Sequence, residues 1–399
     1  MNNSHFIILI PLVAFMVTML VFPKVLHFAE KHGIVDNPNA RKIQRYPIPV
    51  LGGVAVYLGI LIGYLLLASF QTEPIILWLM IAMTIMMIIG IWDDLSDLSP
   101  GFRFMAEMAI MTGMIAVSGL YVDDFHGLWG VHRVSAYIGI PLSAVAGVGI
   151  INAVNMIDGV DGYASGYCIQ ATLSFALLFY IVGEPVLCCM AIVVATSLLP
   201  FFFHNVFGVR SKMFIGDGGT MMLGVIMAIF VLAALSSKTN CKMLEWSNVS
   251  LAGLILAVIC IPVFDTLRVM TQRILQGNSP FRSDKTHLHH LFIEMGFSHL
   301  GAALSILSLN MMIVLFWFTA WIAGLSIDGQ MYVVMFLGMT VTFGFYSLMK
   351  KQQLGGPKDE NGKPQGTALW RQFLKIGEWS HIEKGRTWRY IRRLMDSRY

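Results

Sequence analysis

Aspartates recur where apolar runs stop: Asp93 and Asp94 follow 75–92, Asp158 and Asp161 follow 137–154, and Asp217 lies beyond the run ending at Phe203. A charged group is costly in hydrocarbon, so carboxylates gathered at membrane-helix ends face a metal ion, a cationic group or a substrate. In the second polar loop, Asp93 and Asp94 are adjacent. Two neighbouring carboxylates repel unless a divalent cation, a proton or a base offsets them, which points to Mg²⁺-dependent work or a shared proton. Arg103, ten residues past Asp93, adds a fixed positive charge suited to phosphate. The structural alternative is that the pair caps the next helix, with Pro100 near its first turn.

The third loop is the most specific. Asn152 and Asn155 are three apart, as are Asp158 and Asp161, so on a helical stretch each pair shares a face. Gly159 and Gly162 let a ligand approach the backbone, and the amides offer oxygen to a metal or hydrogen bonds to a planar base. In the fourth loop, Asp217 sits in a glycine turn, Gly216 to Gly219, at the start of a helix. Such a turn aims N–H groups at an anion while the acid holds its cation, and Phe214 beside it can stack on a base. A helix cap and an interfacial anchor are the plainer readings of these two residues. The fifth loop carries Arg282, Lys285, His287, His289 and His290 without a HExxH pattern or nearby cysteine. Its basic neighbours disfavour zinc and fit phosphate. The first loop, 32–49, with Arg41 and Lys42 among prolines, reads either as an anion-capturing segment or as an ordinary positive-inside loop.

The elements that must position these groups are membrane helices. With 56% hydrophobic residues, 13% charged residues and a mean hydropathy of +0.70, this length of chain is not a soluble globular domain. Runs of spanning length fall at roughly 4–28, 50–70, 75–92, 103–121, 137–154, 163–182, 186–203, 219–236, 250–270, 301–324 and 331–349. These predict an all-α polytopic membrane protein of about eleven transmembrane helices, the first of them a retained span and not a removed signal peptide. Placing the N-terminus outside leaves only Arg133, Lys238 and Lys242 in external loops, and it puts the tail from Lys350 and Asp93, Asp94, Asp97, Asp158, Asp161, Asp217 and Asp284 in the cytoplasm. The active site is therefore expected at the cytoplasmic face. The net charge of +4 reflects this sidedness, and no basic patch suited to nucleic acid occurs. Cys168, Cys188, Cys189, Cys241 and Cys260 lack CxxC spacing and read as packing residues.

On these five loops, in this order, residues 1–350 resemble the polyprenyl-phosphate N-acetylhexosamine-1-phosphate transferases and the related phospho-muramoyl-pentapeptide transferases. The former include the bacterial enzymes that start O-antigen, enterobacterial common antigen and teichoic acid synthesis. The resemblance implies transfer of a sugar 1-phosphate, first of all N-acetylglucosamine 1-phosphate, from a UDP-sugar to undecaprenyl phosphate, with release of UMP. It implies Mg²⁺, with Mn²⁺ as a substitute, held by Asn155 and Asp217. It places Asp93 and Asp94 at the reacting phosphates, Asp161, Phe214 and Gly159 at uracil, and Asn152 and Asp158 in the same site. Arg103 falls near phosphate, and Arg282, His287, His289 and His290 match a histidine-rich loop associated with diphosphate and sugar. Asp93, Asp94, Asp158 and Asp217 are thus the expected catalytic acids. Direct attack by the lipid phosphate, deprotonated by Asp93, is favoured over a phospho-aspartate because a phosphate monoester is already a competent nucleophile.

The expected home is the bacterial cytoplasmic membrane. The reaction with another UDP-N-acetyl amino sugar is the nearest alternative, and an ion-coupled transporter is the alternative from another class. Self-association is left open. Residues 350–399 form a separate basic and aromatic tail, read as an interfacial helix, as packing against the loops, or as a docking element.

Overall fold

The computed structural model describes residues 4–37, 46–280, 284–357, 365–381 and 386–396. Arg41 and Lys42 of the first loop and Arg282 of the fifth lie outside the described residues. The chain is an all-α polytopic membrane protein, and each expected span coincides with a helix. In order these are α1 (Ser4–Lys31), α2 (Gly52–Ala68), α3 (Pro74–Ser96), α4 (Pro100–Ser118), α5 (Ala136–Met156) and α6 (Tyr163–Ile181). There follow α7 (Pro185–Phe207), α8 (Gly216–Leu235), α9 (Leu251–Leu275), a short α10 (Leu288–Glu294) and α11 (His299–Ile322). Then α12 (Ile327–Met339) runs through a π-helical stretch, Thr340–Phe345, into α13 (Tyr346–Leu354), and the tail holds α14 (Ala368–Trp379) and α15 (Arg386–Asp396). The described sheet is one antiparallel pair, β1 (Val35–Asp36) with β2 (Ile48–Pro49).

Among the described residues, nine helices are long and apolar enough to cross a membrane. The other two expected spans are α2, only 17 residues long, and α4, which carries both Arg103 and Glu107 in its apolar sequence. Local signals set the helix ends. Proline stands in the first turn of α3, α4 and α7, where its missing N–H costs nothing, and the Ser99 hydroxyl caps α4 by accepting from Phe102 N–H.

Burial ranks the helices by depth. The spanning window of α8 is 94% buried, against 28% for α1 and 22% for the α12–α13 rod. Lipid tails are as apolar as side chains, so helices in a bilayer associate through close packing at small residues. The start of α8 shows this: Gly218 lies against Gly90 of α3, Gly219 against Gly53 of α2, and Gly224 against Ile151 of α5. The described parts of the five polar loops meet at this end of the bundle.

A Cβ at Gly53 would meet the Gly219 Cα at 2.5 Å, whereas one at Gly113 on α4 meets nothing within 4 Å. Gly53→Ala is expected to destabilise the protein by about 1–3 kcal/mol through overpacking, and Gly113→Ala to be neutral or slightly stabilising. Thermal melts of the two variants in one detergent check this; equal shifts would refute it.

Candidate active site

The N-terminus of α8 is capped from another helix. The Asp94 carboxylate, at the end of α3, accepts the backbone N–H groups of Asp217 and Gly218 at 3.1 and 3.4 Å. These are first-turn amides with no partner inside their own helix, and the positive end of the helix dipole favours the acid. The cap brings the side chains of Asp94 and Asp217 to one place. Asn155, at the end of α5, donates to Asp217 Oδ1 and to Thr220 Oγ1, both at 2.8 Å.

Arg103 joins these elements. Its guanidinium pairs with Asp93 at 2.6 Å, donates to Asn155 Oδ1 at 3.1 Å and lies 3.8 Å from Asp217 Oδ2. The other Asp93 oxygen accepts Leu98 N–H at 2.8 Å and so also closes the end of α3. Asn152, on the same face of α5 as Asn155, donates instead to Glu107 of α4 at 2.5 Å, deep behind the arginine.

The opposite wall comes from the third and fourth loops. Asp161 is held by Lys212 at 2.6 Å and by His299, the first residue of α11, at 2.8 Å. Burial alone would raise the Asp161 carboxyl, but the His299 hydrogen bond and the Lys212 ammonium overcome it and hold the group below the usual carboxylate range. Gly162 takes a left-handed φ of +77° and donates to Asn205 Oδ1 at 2.7 Å, while the Asn205 amide reaches Met213 O. The first loop joins through β2: Phe214 N–H bonds Pro49 O at 2.8 Å and Gly52 N–H bonds Phe214 O at 2.9 Å. Phe214 is half-buried on the cleft wall with the Lys212 ammonium 5.8 Å from its ring centre.

Between these walls runs a cleft of about 1670 Å³, lined by Asp94, Asp158, Asp161, Lys212, Phe214 and Asp217 among others. The Asp158 side chain is exposed to this cleft, with the surrounding protein reducing its contact with bulk water. Removal from bulk water, and then the charges of Asp217, Asp161 and Asp94, push its carboxyl up to about 8. A cavity of about 260 Å³ adjoins the cleft, lined by Arg103, Phe104, Asn152, Arg273 and His289.

The fifth loop divides its work. His287 Nδ1 is bound to Asp265 of α9 at 3.0 Å, and Asp265 also pairs with the fully buried Arg268 at 2.6 Å. Arg268 in turn stacks on Tyr346 at 3.6 Å. His287 therefore shapes the loop from behind. His289 is buried against Gly159 and Tyr163, and neither ring nitrogen has a protein partner. His290 reaches the cleft. Burial first, then the neighbouring basic groups, lower both His289 and His290, the latter to about 4, so these imidazoles are neutral near pH 7 and offer hydrogen bonds but no charge. Asp284 is lowered to about 2, because Arg273 at 2.9 Å and Thr286 outweigh its burial.

All the described site residues expected from sequence thus lie in or just behind one cleft. Glu107, His299, Asp265 and Arg268 were not anticipated. Three of them had a signal: Glu107 is an acid inside an apolar run, and Asp265 and Arg268 are opposite charges at i and i+3 in another. The donors around Asp94, Asp158 and Asp217 are oxygens, the class preferred by hard divalent cations. Asn155 gives its amide oxygen to Arg103, so metal ligation by that oxygen requires the arginine to release it. A trio among the described residues, Asp124, His132 and Glu245, sits beyond the far end of α4, where Asp124 is paired with Lys242 and Glu245 with His126.

Residues 76–235 match the family described as glycosyl transferase family 4. The probable undecaprenyl-phosphate N-acetylglucosaminyl 1-phosphate transferase of Bacillus subtilis (strain 168) is 30% identical over 291 residues, covering 72% of this chain and 77% of its own. The undecaprenyl-phosphate alpha-N-acetylglucosaminyl 1-phosphate transferases of Yersinia pestis and Escherichia coli (strain K12) are each 30% identical over 273 residues, covering 68% of this chain and 72% of theirs.

The raised Asp158 carboxyl makes a pH prediction. Its folded pKa lies above the unfolded value, so between the two the folded protein binds the extra proton. Its contribution favours folding below that interval and is lost as pH rises from about 4 towards 8. Melting temperatures in chelator are expected to fall over this range, and Asp158→Asn to flatten that part of the profile. An unchanged slope in the variant would reject the assignment.

Proposed function

This chain belongs to glycosyl transferase family 4, and we propose that it transfers a sugar 1-phosphate from a UDP-sugar to undecaprenyl phosphate, releasing UMP, with UDP-N-acetylglucosamine as the donor. The observation that carries this reading is the meeting of Asp93, Asp94, Asn155 and Asp217 around one arginine at the membrane edge of a cleft large enough for a nucleotide sugar. Phosphoryl transfer needs little covalent chemistry from the protein. It needs the reacting oxygens placed in line and their charge neutralised.

Asp94, Asp158, Asp217 and Asn155 are the groups that would hold Mg²⁺ or Mn²⁺, and the ion would offset charge on the diphosphate when bound. Two of these carboxylates already have partners that fix them: Asp94 by the α8 amides and Asp217 by Asn155. Arg103 is the fixed cation beside them and faces the smaller cavity, a place for a phosphate arriving from the bilayer. Asp93 has one oxygen on Leu98 N–H and the other on Arg103, so it is better suited to holding the arginine than to taking a proton. Direct attack by the lipid phosphate fits this, because a phosphate monoester is largely ionised near pH 7 and needs no strong base.

The nucleotide is assigned to the wall of Gly159, Asp161 and Phe214, where the ring offers a face for uracil. Neutral His289 and His290 supply hydrogen bonds to diphosphate or sugar. The protein is placed in a bacterial cytoplasmic membrane with its N-terminus outside and this cleft in the cytoplasm, supported by the excess of Lys and Arg in the loops at the cleft end. Residues 1–349 are the transferase domain and 350–399 a cytoplasmic extension.

The test is UMP release by purified protein given Mg²⁺, undecaprenyl phosphate and UDP-N-acetylglucosamine. Lipid-dependent UMP is expected, falling by about 10²-fold or more in Asp217→Asn and Asp94→Asn, the scale for losing one charge-stabilising group at a transition state. UMP formed only from another UDP-N-acetyl amino sugar would replace the donor. No UMP from any of them would overturn the reaction.

A further inference from the structure

Asp161 is held by two side chains that belong to neither its own loop nor its own helix: Lys212 on the turn after α7, and His299 at the head of α11. In each case the residue immediately before the holding residue is gripped by the C-terminal tail. On one side, the Asp396 carboxylate at the end of α15 accepts the backbone N–H groups of Val209, Arg210 and Ser211 and the Ser211 hydroxyl, each at 3.1 Å. Four donors on one carboxylate make a strong, charge-assisted anchor for the turn. Trp388 of α15 is buried against Phe207, the last residue of α7, with ring centres 4.7 Å apart. Trp388 and Arg392 also line the cleft itself.

On the other side, Ser298 N–H donates to Ser380 Oγ at 2.8 Å and Ser298 Oγ donates to Ser380 O at 2.9 Å. His381 Nε2 bonds Gly296 O at 3.0 Å, and Gly377 of α14 packs so closely on Met295 and Gly296 that a side chain there would overlap their backbone. Ser298 is the N-cap of α11, so this grip sets where the helix starts and where His299 points.

We propose that α14 and α15 form a two-armed clasp that sets the geometry of Asp161 for the donor nucleotide, with Asp396 and Ser380 as its positioning residues. The clasp rests on the reading of this cleft as a nucleotide-sugar site. It acts on donor binding more than on chemistry, because the groups around Arg103 make no contact with the tail among the described residues.

The experiment compares full-length wild type, Asp396→Ala, Asp396→Asn and Ser380→Ala in two measurements. In steady-state kinetics, Asp396→Ala is expected to raise KM for UDP-N-acetylglucosamine about five- to tenfold with kcat within about twofold, the pattern of lost uniform binding. Asp396→Asn keeps one accepting oxygen and is expected to recover most of the loss, and it carries the same test if the alanine variant fails to fold. In amide hydrogen exchange without substrate, the alanine variant is expected to exchange faster both at 209–212 and, through Lys212, at 158–162. Unchanged KM, or faster exchange confined to 209–212, would overturn the clasp. If the wild type turns over no UDP-sugar, the functional reading fails by itself, and the exchange at 158–162 still decides whether the tail positions Asp161.

Discussion

The arrangement depends on how closely three backbones approach at the start of α8. Without the hydrophobic effect to drive helices together in a bilayer, that approach is set by glycine on both sides, Gly218 against Gly90 and Gly219 against Gly53. It brings the end of α3 within hydrogen-bond reach of the α8 amides, which is what lets Asp94 cap a helix that is not its own. The cap and the acid cluster are therefore one structure. An acid at that position both completes the helix and puts negative charge where a cation is wanted.

Charge is placed in the same economical way. Arg103 is the cation at the centre of the site, and it touches Asp93, Asn155 and Asp217 from three different loops. Three other cations among the described residues are committed: Lys212 to Asp161, Arg273 to Asp284, Arg268 to Asp265. Of the three histidines of the fifth loop, His287 is bound by Asp265, while His289 and His290, both lowered by their surroundings, are neutral rings that line the cavities. A charge-dense ligand would thus meet oriented hydrogen-bond donors beside Arg103, an arrangement that suits binding together with a divalent cation.

The tail shows how a peripheral segment can act on a site. Its two helices leave Trp379 and Leu394 exposed on the outside, yet on the inside they grip two turns at the rim of the cleft. The described residues of the tail pack against the turns at 207–211 and 295–298. Nothing local in Asp396 or Ser380 marks them as anchors, since an acid and a serine near a chain end are ordinary surface residues until the turn they hold is folded beside them.

The sequence by itself determined the helices, the loops between them and the residue types able to do chemistry, because hydropathy over about 20 residues and proline or glycine at run ends are local properties. It also showed that Asn152 and Asn155 share a helical face. It did not show that the two would turn to different partners, one to a buried Glu107 and the other to Asp217, nor that His287 would be bound by Asp265. Those outcomes belong to contacts between residues tens of positions apart, such as 52 for Arg103 with Asn155 and 62 for Asn155 with Asp217. Only helix packing brings such groups together, and only the resulting burial decides which of them keep a charge.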